Sequence, residues 1–232
     1  MVASSSIFRM ETFRFLWDTD FVFFSLLGYN YSFVEFVGTI AGLLSVWFGT
    51  RNNILIWYFG FINVIAFGFI FFQINLYADM LLQLFYFGIT AYGLWNWKYN
   101  AGKDELQIGF LTTRHRLAYS ILLVQLFILF YWFTQYFPYL FETLQMAFST
   151  YPFVDSTLAA ASIIATILMA KRKLESWILW IIIDAGSILL YVKKGVFLIA
   201  VEFFVFSILA VYGYISWKKL MKLNQNNQIT ST

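Results

Sequence analysis

The chain contains no cysteine and a single histidine, His115, so disulfides and thiolate- or histidine-built metal centres are excluded. Charged residues make up only 12% of the 232 positions, whereas hydrophobic residues make up 61% and aromatic residues 23%. A soluble domain of this size could not bury so much apolar surface, but a lipid bilayer accepts it. We therefore predict an all-α integral membrane protein that binds no metal or cofactor. The net charge of +3 requires no nucleic-acid partner, because basic loops are what membrane topology demands.

Seven apolar runs are long enough to cross a bilayer, which takes about 20 helical residues. They cover residues 33–50, 54–73, 76–97, 117–137, 153–170, 174–192 and 196–217. Residues 7–30 mix charges with aromatic side chains, a pattern typical of a helix that lies in the membrane interface. We therefore assign residues 1–32 to a peripheral N-terminal segment and residues 221–232 to a cytoplasmic tail.

The basic residues predict the orientation of the chain. Eleven of the 15 fall in the loops after the first, third, fifth and seventh spans, against Arg9, Arg14, Lys193 and Lys194 on the other side. Because basic loops stay in the cytoplasm, the N-terminus is expected outside and the C-terminus inside.

The chain repeats itself after a shift of 120 positions. Phe33-Val34-Glu35 aligns with Phe153-Val154-Asp155, Trp57 with Trp177, and the Tyr92-Gly93 pair with Tyr212-Gly213, where we expect helices to approach closely. Residues 33–100 and 153–220 are thus three-helix repeats, and residues 101–152 supply a loop and one linker helix. Because the second repeat begins four crossings after the first, the repeats are parallel and the architecture is 3+1+3. Transporters built this way bind substrate near the midplane, between the repeats.

A carboxylate, Asp184, lies near the middle of the sixth span. An ionised carboxylate at the bilayer centre costs about 2.5–3.5 kcal/mol, so it needs a partner, which a bound cation would provide. The alternative is a protonated Asp184 that bonds to a neighbouring helix. Trp177, Trp180 and Tyr191 share its helix face and are candidates for stacking on a cationic ring. Trp177 is also explained as an interfacial belt residue, which makes Trp180 the stronger candidate.

Three polar residues of the second and third spans are further candidates for ligand contact. Gln83 and Tyr86 lie on one face of the third span, with Asp79 one turn earlier. Asn63 lies deep in the second span, where ligand contact and an amide bond between helices explain it equally well.

Three acids remain. Glu202, in the last span, is a candidate for the pocket, for gating, or for pairing with Lys193 or Lys194, and the sequence does not choose among these roles. Glu35 and Asp155 are equivalent in the two repeats and begin helices. The helix dipole favours carboxylates there, so capping explains them most simply.

Several stretches resemble the Pnu-type bacterial vitamin transporters. They are residues 37–44, 59–73, 76–78 and 81–83, the fifth span from Phe153-Val-Asp-Ser156 into Ile167-Leu-Met169, and Glu175-Ser-Trp177-Ile-Leu-Trp180. The resemblance implies a homotrimer in the bacterial inner membrane that takes up a small cationic vitamin by facilitated diffusion, followed by trapping through a cytoplasmic vitamin kinase. It also implies that Gln83, Trp180 and the residue at position 184 lie at or near the ligand.

The chain departs from the nicotinamide riboside carriers of this family at Asp184, where those proteins have asparagine. A carboxylate beside tryptophans suits a permanently cationic ring, so thiamine is favoured. Nicotinamide riboside, also cationic, is the alternative; neutral riboflavin and proton coupling through Asp184 or Glu202 rank lower. A retinal protein is excluded because no lysine lies in the middle of a span. No motif for phosphoryl or acyl transfer is present, so we do not expect an enzyme.

Overall fold

A computed structural model describes residue 16 and residues 18–26, 28–74, 77–100, 106–140 and 150–230. Within these ranges the chain forms one antiparallel hairpin and seven helices. In chain order these are β1 (Phe24–Leu26), β2 (Tyr29–Tyr31), α1 (Phe33–Thr50), α2 (Leu55–Gln73), α3 (Tyr77–Tyr99), α4 (Thr113–Leu140), α5 (Pro152–Ala170), α6 (Glu175–Lys193) and α7 (Phe197–Thr230).

The predicted all-α membrane fold is confirmed, since every predicted span is a helix. Six helices are long and apolar enough to cross a membrane. The seventh, α3, is more polar, but its 23 residues extend about 35 Å, which exceeds the roughly 30 Å hydrocarbon core. Helix α7 ends at Thr230. Residues 221–230, which the sequence assigned to a cytoplasmic tail, therefore continue the last helix.

The expected interfacial helix over residues 7–30 is wrong for its second half. Residues Phe24–Leu26 pair with Tyr29–Tyr31 around Gly28, whose φ of +83° is the left-handed conformation that a tight turn needs. Periodicity over so few residues does not separate a hairpin from a helix. Residues 1–15, 17 and 27 of the predicted N-terminal segment lie outside the described residues.

The hairpin and the residues just before it are hydrogen-bonded to the helices that follow. The Thr19 hydroxyl donates to Gln73 Oε1 at the end of α2 (2.9 Å), and the Tyr29 hydroxyl donates to Glu35 Oε1 (2.6 Å). Ser32 Oγ caps α1 by accepting from the Glu35 N–H (3.2 Å). We call this end of the bundle the hairpin end, and the opposite end, with the turns that carry Arg51 and Lys171–Lys173, the basic end.

The two repeats have matching structures. The bounds of α1, α2 and the start of α3 recur 120 positions later, to within one residue, in α5, α6 and α7. In the turn after the first helix of each repeat, Asn52 (φ 52°) and Arg172 (φ 53°) both adopt the left-handed conformation. Moreover, α1 packs against α7 and α3 packs against α5. The third helix of each repeat therefore packs against the first helix of the other repeat. The 3+1+3 arrangement therefore forms one pseudo-symmetric unit.

A layer of four tryptophans joins the repeats at the basic end, and we call it the tryptophan layer. It comprises Trp57, Trp97, Trp177 and Trp217, all at most 3% exposed. Trp97 Nε1 donates to Ala170 O (3.0 Å) and Trp217 Nε1 donates to Gly49 O (2.9 Å), each across the repeat boundary. The interpretation of Trp177 as an interfacial belt residue is therefore wrong, because packing between α6 and α7 encloses it.

The glycine pairs explain how these indoles fit. A Cβ at Gly93 would lie 2.5 Å from Trp57 ring atoms, and one at Gly213 would lie 2.7 Å from Trp177 ring atoms. Real Cβ atoms do not approach so closely. The expected close helix approach at both Tyr-Gly pairs is confirmed.

The segment that follows α3 packs against the rest of the protein. Leu106 and Ile108 are buried against the tryptophan layer, and Gly109 pairs with Lys173 in a short parallel bridge. Arg116 forms an ion pair with Glu175 (3.1 Å). This segment thereby covers the basic end of the second repeat.

Candidate ligand-binding cavity

A cavity of about 890 Å³ lies between the two repeats. This volume is in the range of pockets for small ligands. All eight residues that the sequence proposed for ligand contact line it: Asn63, Gln83, Tyr86, Trp177, Trp180, Asp184, Tyr191 and Glu202. The fold therefore brings together side chains from α2, α3, α6 and α7.

The cavity has two unlike ends. At the hairpin end its lining includes Asp155 and two residues that solvent reaches, Asp79 and Lys194. At the basic end its lining reaches the fully enclosed Trp57 and Trp177. The tryptophan layer thus closes the basic end, while solvent reaches the hairpin end.

Asp184 is the buried carboxylate of this cavity. It is 2% exposed and lies midway along α6. Within the described ranges, no hydrogen bond or ion pair engages it, so no neighbouring helix supplies the partner that the structural alternative requires. A buried carboxylate that faces a cavity without a protein counterion is suited to a ligand that brings positive charge or proton donors.

Aromatic side chains flank Asp184 along the same helix. Trp180 lies one turn before it and is half-buried in the lining. Tyr191, towards the hairpin end, stacks on Phe203 with ring centroids 5.5 Å apart and ring planes 15° apart. These rings provide flat surfaces for a planar cation.

The opposite wall comes from the first repeat. Gln83 and Tyr86 lie on α3, and the Tyr86 hydroxyl bonds to Ser162 on α5. Asn63 lines the cavity and also donates from Nδ2 to Gly38 O (2.9 Å), so its amide does hold α1 and α2 together.

Glu202 lies near the hairpin end of the cavity. In the described part of the chain no ion pair joins it to Lys193 or Lys194; Lys194 instead pairs with Asp155 (3.3 Å). Burial raises the pKa of the Tyr31 phenol in the hairpin, and the Glu202 charge raises it further. The hairpin therefore sits within electrostatic range of this end of the cavity.

Two polar residues that also line the cavity, Asp155 and Ser162, were not proposed from the sequence. From the sequence, Asp155 was explained as a carboxylate at the start of a helix. Its place at the start of the fifth span, on the same side of the membrane as the end of the sixth span, could have identified it as a lining residue. Ser162 offered no signal, because a serine in a membrane helix usually bonds its own backbone.

The polar lining breaks the symmetry of the framework. At the shift of 120 positions Trp180 corresponds to Gly60, Asp184 to Val64, and Gln83 to Phe203. The tryptophan layer is duplicated, but the groups that would recognise a ligand are not.

Comparison with known proteins gives consistent results. The profile of the family described as nicotinamide mononucleotide transporter matches residues 32–219. The nicotinamide riboside transporter PnuC of Escherichia coli (strain K12) is 35% identical over 82% of this chain and 87% of its own length. The PnuC of Neisseria mucosa is 28% identical over 82% of this chain and 74% of its own. A crystal structure of the vitamin B3 transporter PnuC superposes with a TM-score of 0.59 and 27% identity, covering 82% of each chain.

Proposed function

The chain belongs to the nicotinamide mononucleotide transporter family, and we propose that it carries nicotinamide riboside across a bacterial inner membrane. The buried Asp184, unpaired within the described chain and flanked by Trp180 in a cavity between the repeats, supports a cationic vitamin, and the similarity to nicotinamide riboside transporters supports this vitamin over thiamine. Nicotinamide riboside has a cationic pyridinium ring, which a carboxylate and an indole face both attract.

Thiamine, which the sequence favoured, has less support than this alternative. Its thiazolium ring also suits Asp184, but the similar proteins are named as nicotinamide riboside transporters. Nicotinamide riboside further carries a carboxamide and ribose hydroxyls, for which Gln83, Tyr86 and Glu202 offer hydrogen-bonding partners in the same cavity.

We propose that the protein transports its substrate by facilitated diffusion, through an alternating-access mechanism. The hairpin end, where solvent reaches the cavity, faces outward, and the basic end faces the cytoplasm, as the distribution of Lys and Arg favours. Opening the tryptophan layer would release the vitamin inward, where a cytoplasmic kinase would trap it by phosphorylation. A homotrimer is the assembly that the family resemblance implies.

Uptake by proteoliposomes tests the substrate. We expect radiolabelled nicotinamide riboside to enter, and excess unlabelled nicotinamide riboside to suppress that entry far more strongly than thiamine or riboflavin. Stronger suppression by thiamine would overturn our assignment in favour of thiamine.

The same vesicles test energy coupling. Without a kinase, the internal concentration should stop at the external one, even under an imposed pH gradient. Accumulation above the external concentration under that gradient would contradict facilitated diffusion and indicate proton coupling.

A further inference from the structure

A hydrogen bond in the lining of the ligand cavity joins the two repeats. It joins the hydroxyl of Tyr86 on α3 to the hydroxyl of Ser162 on α5, and both side chains line the cavity. Ser162 is 8% exposed and also donates from Oγ to the carbonyl oxygen of Ala159 (3.0 Å).

The number of protons determines the direction of this bond. A serine hydroxyl has one hydrogen, and a carbonyl oxygen only accepts. Because Ser162 gives its hydrogen to Ala159, both contacts are satisfied together only if Tyr86 donates to Ser162. The phenolic hydrogen of Tyr86 is then donated to Ser162 Oγ. Tyr86 therefore offers the cavity only the lone pairs of its oxygen.

We propose that Ser162 is a positioning residue that holds the Tyr86 hydroxyl as a hydrogen-bond acceptor and so makes the site select a carboxamide over a carboxylate. A carboxamide NH₂ donates to an acceptor oxygen, whereas an ionised carboxylate has only acceptors and would meet the Tyr86 oxygen unpaired. Leaving such a group unsatisfied in a desolvated site weakens binding. Gln83, one turn before Tyr86, offers an amide N–H for the carboxamide oxygen.

This inference rests on the proposed function, because it assumes that the carboxamide of nicotinamide riboside lies beside Tyr86. The matching probe is nicotinic acid riboside, which has the same cationic ring and ribose but a carboxylate in place of the carboxamide. The two ribosides therefore differ only in the group that Tyr86 would contact, the carboxamide or the carboxylate.

The test measures the dissociation constants of both ribosides for the purified protein, by titration calorimetry or quenching of cavity tryptophan fluorescence. Wild type should prefer the amide. In Ser162→Ala the Tyr86 hydroxyl is free to donate, so the preference should fall by about tenfold, the equivalent of one hydrogen bond. Ser162→Thr, which keeps the hydroxyl, should retain the wild-type preference.

A double-mutant cycle separates positioning from a structural effect. Tyr86→Phe should lower the preference, and adding Ser162→Ala to it should change nothing further, because the phenolic hydroxyl is already gone. Thr157→Val is a matched control: its hydroxyl on α5 bonds Phe153 O (2.7 Å) outside the cavity lining. It should leave the preference unchanged.

The outcomes distinguish the two proposals. If wild type binds neither riboside, the proposed function fails and this inference fails with it. If wild type binds nicotinamide riboside but Ser162→Ala keeps the full amide preference, only this inference is overturned. Should Ser162→Ala not fold, Ser162→Cys, whose thiol is a weak hydrogen-bonding group, replaces it with the same expectation.

Discussion

At the residue scale, Asp184 is the group that most constrains the ligand. It is 2% exposed, and within the described chain no side chain neutralises it. A hydrophobic residue at such a position would stabilise the helix bundle more than a buried carboxylate does. We therefore explain the carboxylate by the ligand that it binds. Its place among aromatic rings favours a planar cation.

The charge of Asp184 should be measurable as selectivity for a charged ring. Reduced nicotinamide riboside has a neutral dihydropyridine, so wild type should bind it at least about tenfold more weakly than the oxidised form. Asp184→Asn keeps the size and should lose most of that difference, as competition binding would record. Glu35→Ala, which removes a carboxylate outside the lining, is the control. An unchanged charge preference in Asp184→Asn would contradict the role of the carboxylate.

At the element scale, the contact between the second and third helix of each repeat depends on one glycine and one tryptophan. Gly93 admits Trp57 between α2 and α3, and Gly213 admits Trp177 between α6 and α7. The close approach lets Trp97 and Trp217 reach backbone carbonyls of the other repeat. A local glycine thereby supports a contact between repeats.

Gly93→Ala should destabilise the protein by about 1–3 kcal/mol, because its Cβ would overlap the Trp57 ring. Thermal unfolding of the purified protein in detergent would record the loss. Gly88→Ala, on the same helix, is a matched control, since nothing lies within 4 Å of its added Cβ. Equal stability of the two variants would show that the indole moves aside without cost.

At the scale of the whole molecule, the tryptophan layer determines which end of the cavity is closed. Its bonds from Trp97 to Ala170 O and from Trp217 to Gly49 O have equivalent donors in the two repeats and acceptors that differ by one position. In the alternating-access mode proposed above, we expect both bonds to break when the basic end opens. The layer is also held by ring packing, with Trp57 on Trp97 and Trp177 on Trp217 at centroid distances of 5.6 Å in each case, and Trp97 on Trp217 at 6.1 Å.

Weakening one of these bonds should favour opening at the basic end. Trp217→Phe removes the indole N–H that donates to Gly49 O, a bond worth about 1 kcal/mol, together with part of the ring packing on Trp97 and Trp177. In the naturally cysteine-free chain, a cysteine at the lining position Ser45 should then react faster with a thiol reagent supplied from the basic end. Trp95→Phe, which alters an exposed indole of α3, is the control. Equal rates in the two variants would show that the bond does not hold the layer closed.

The proposed orientation is testable in the same cysteine-free background. Lys193→Cys, at the hairpin end, should react with a membrane-impermeant maleimide in intact cells. Lys219→Cys, towards the basic end, should react only after the membrane is permeabilised. The reverse pattern would place the N-terminus in the cytoplasm.

The sequence by itself determined the seven spans, the 3+1+3 repeat and the family, because apolar run length, the 120-residue shift and local motifs are one-dimensional properties. It also identified eight residues that the fold brings into one cavity, since polar groups in apolar spans must face the interior. Only the structure decided that Phe24–Leu26 and Tyr29–Tyr31 form a hairpin and that Trp177 is enclosed. It alone brought Ser162 to Tyr86, 76 positions away, because packing across the two repeats brings these side chains together and no local pattern encodes it.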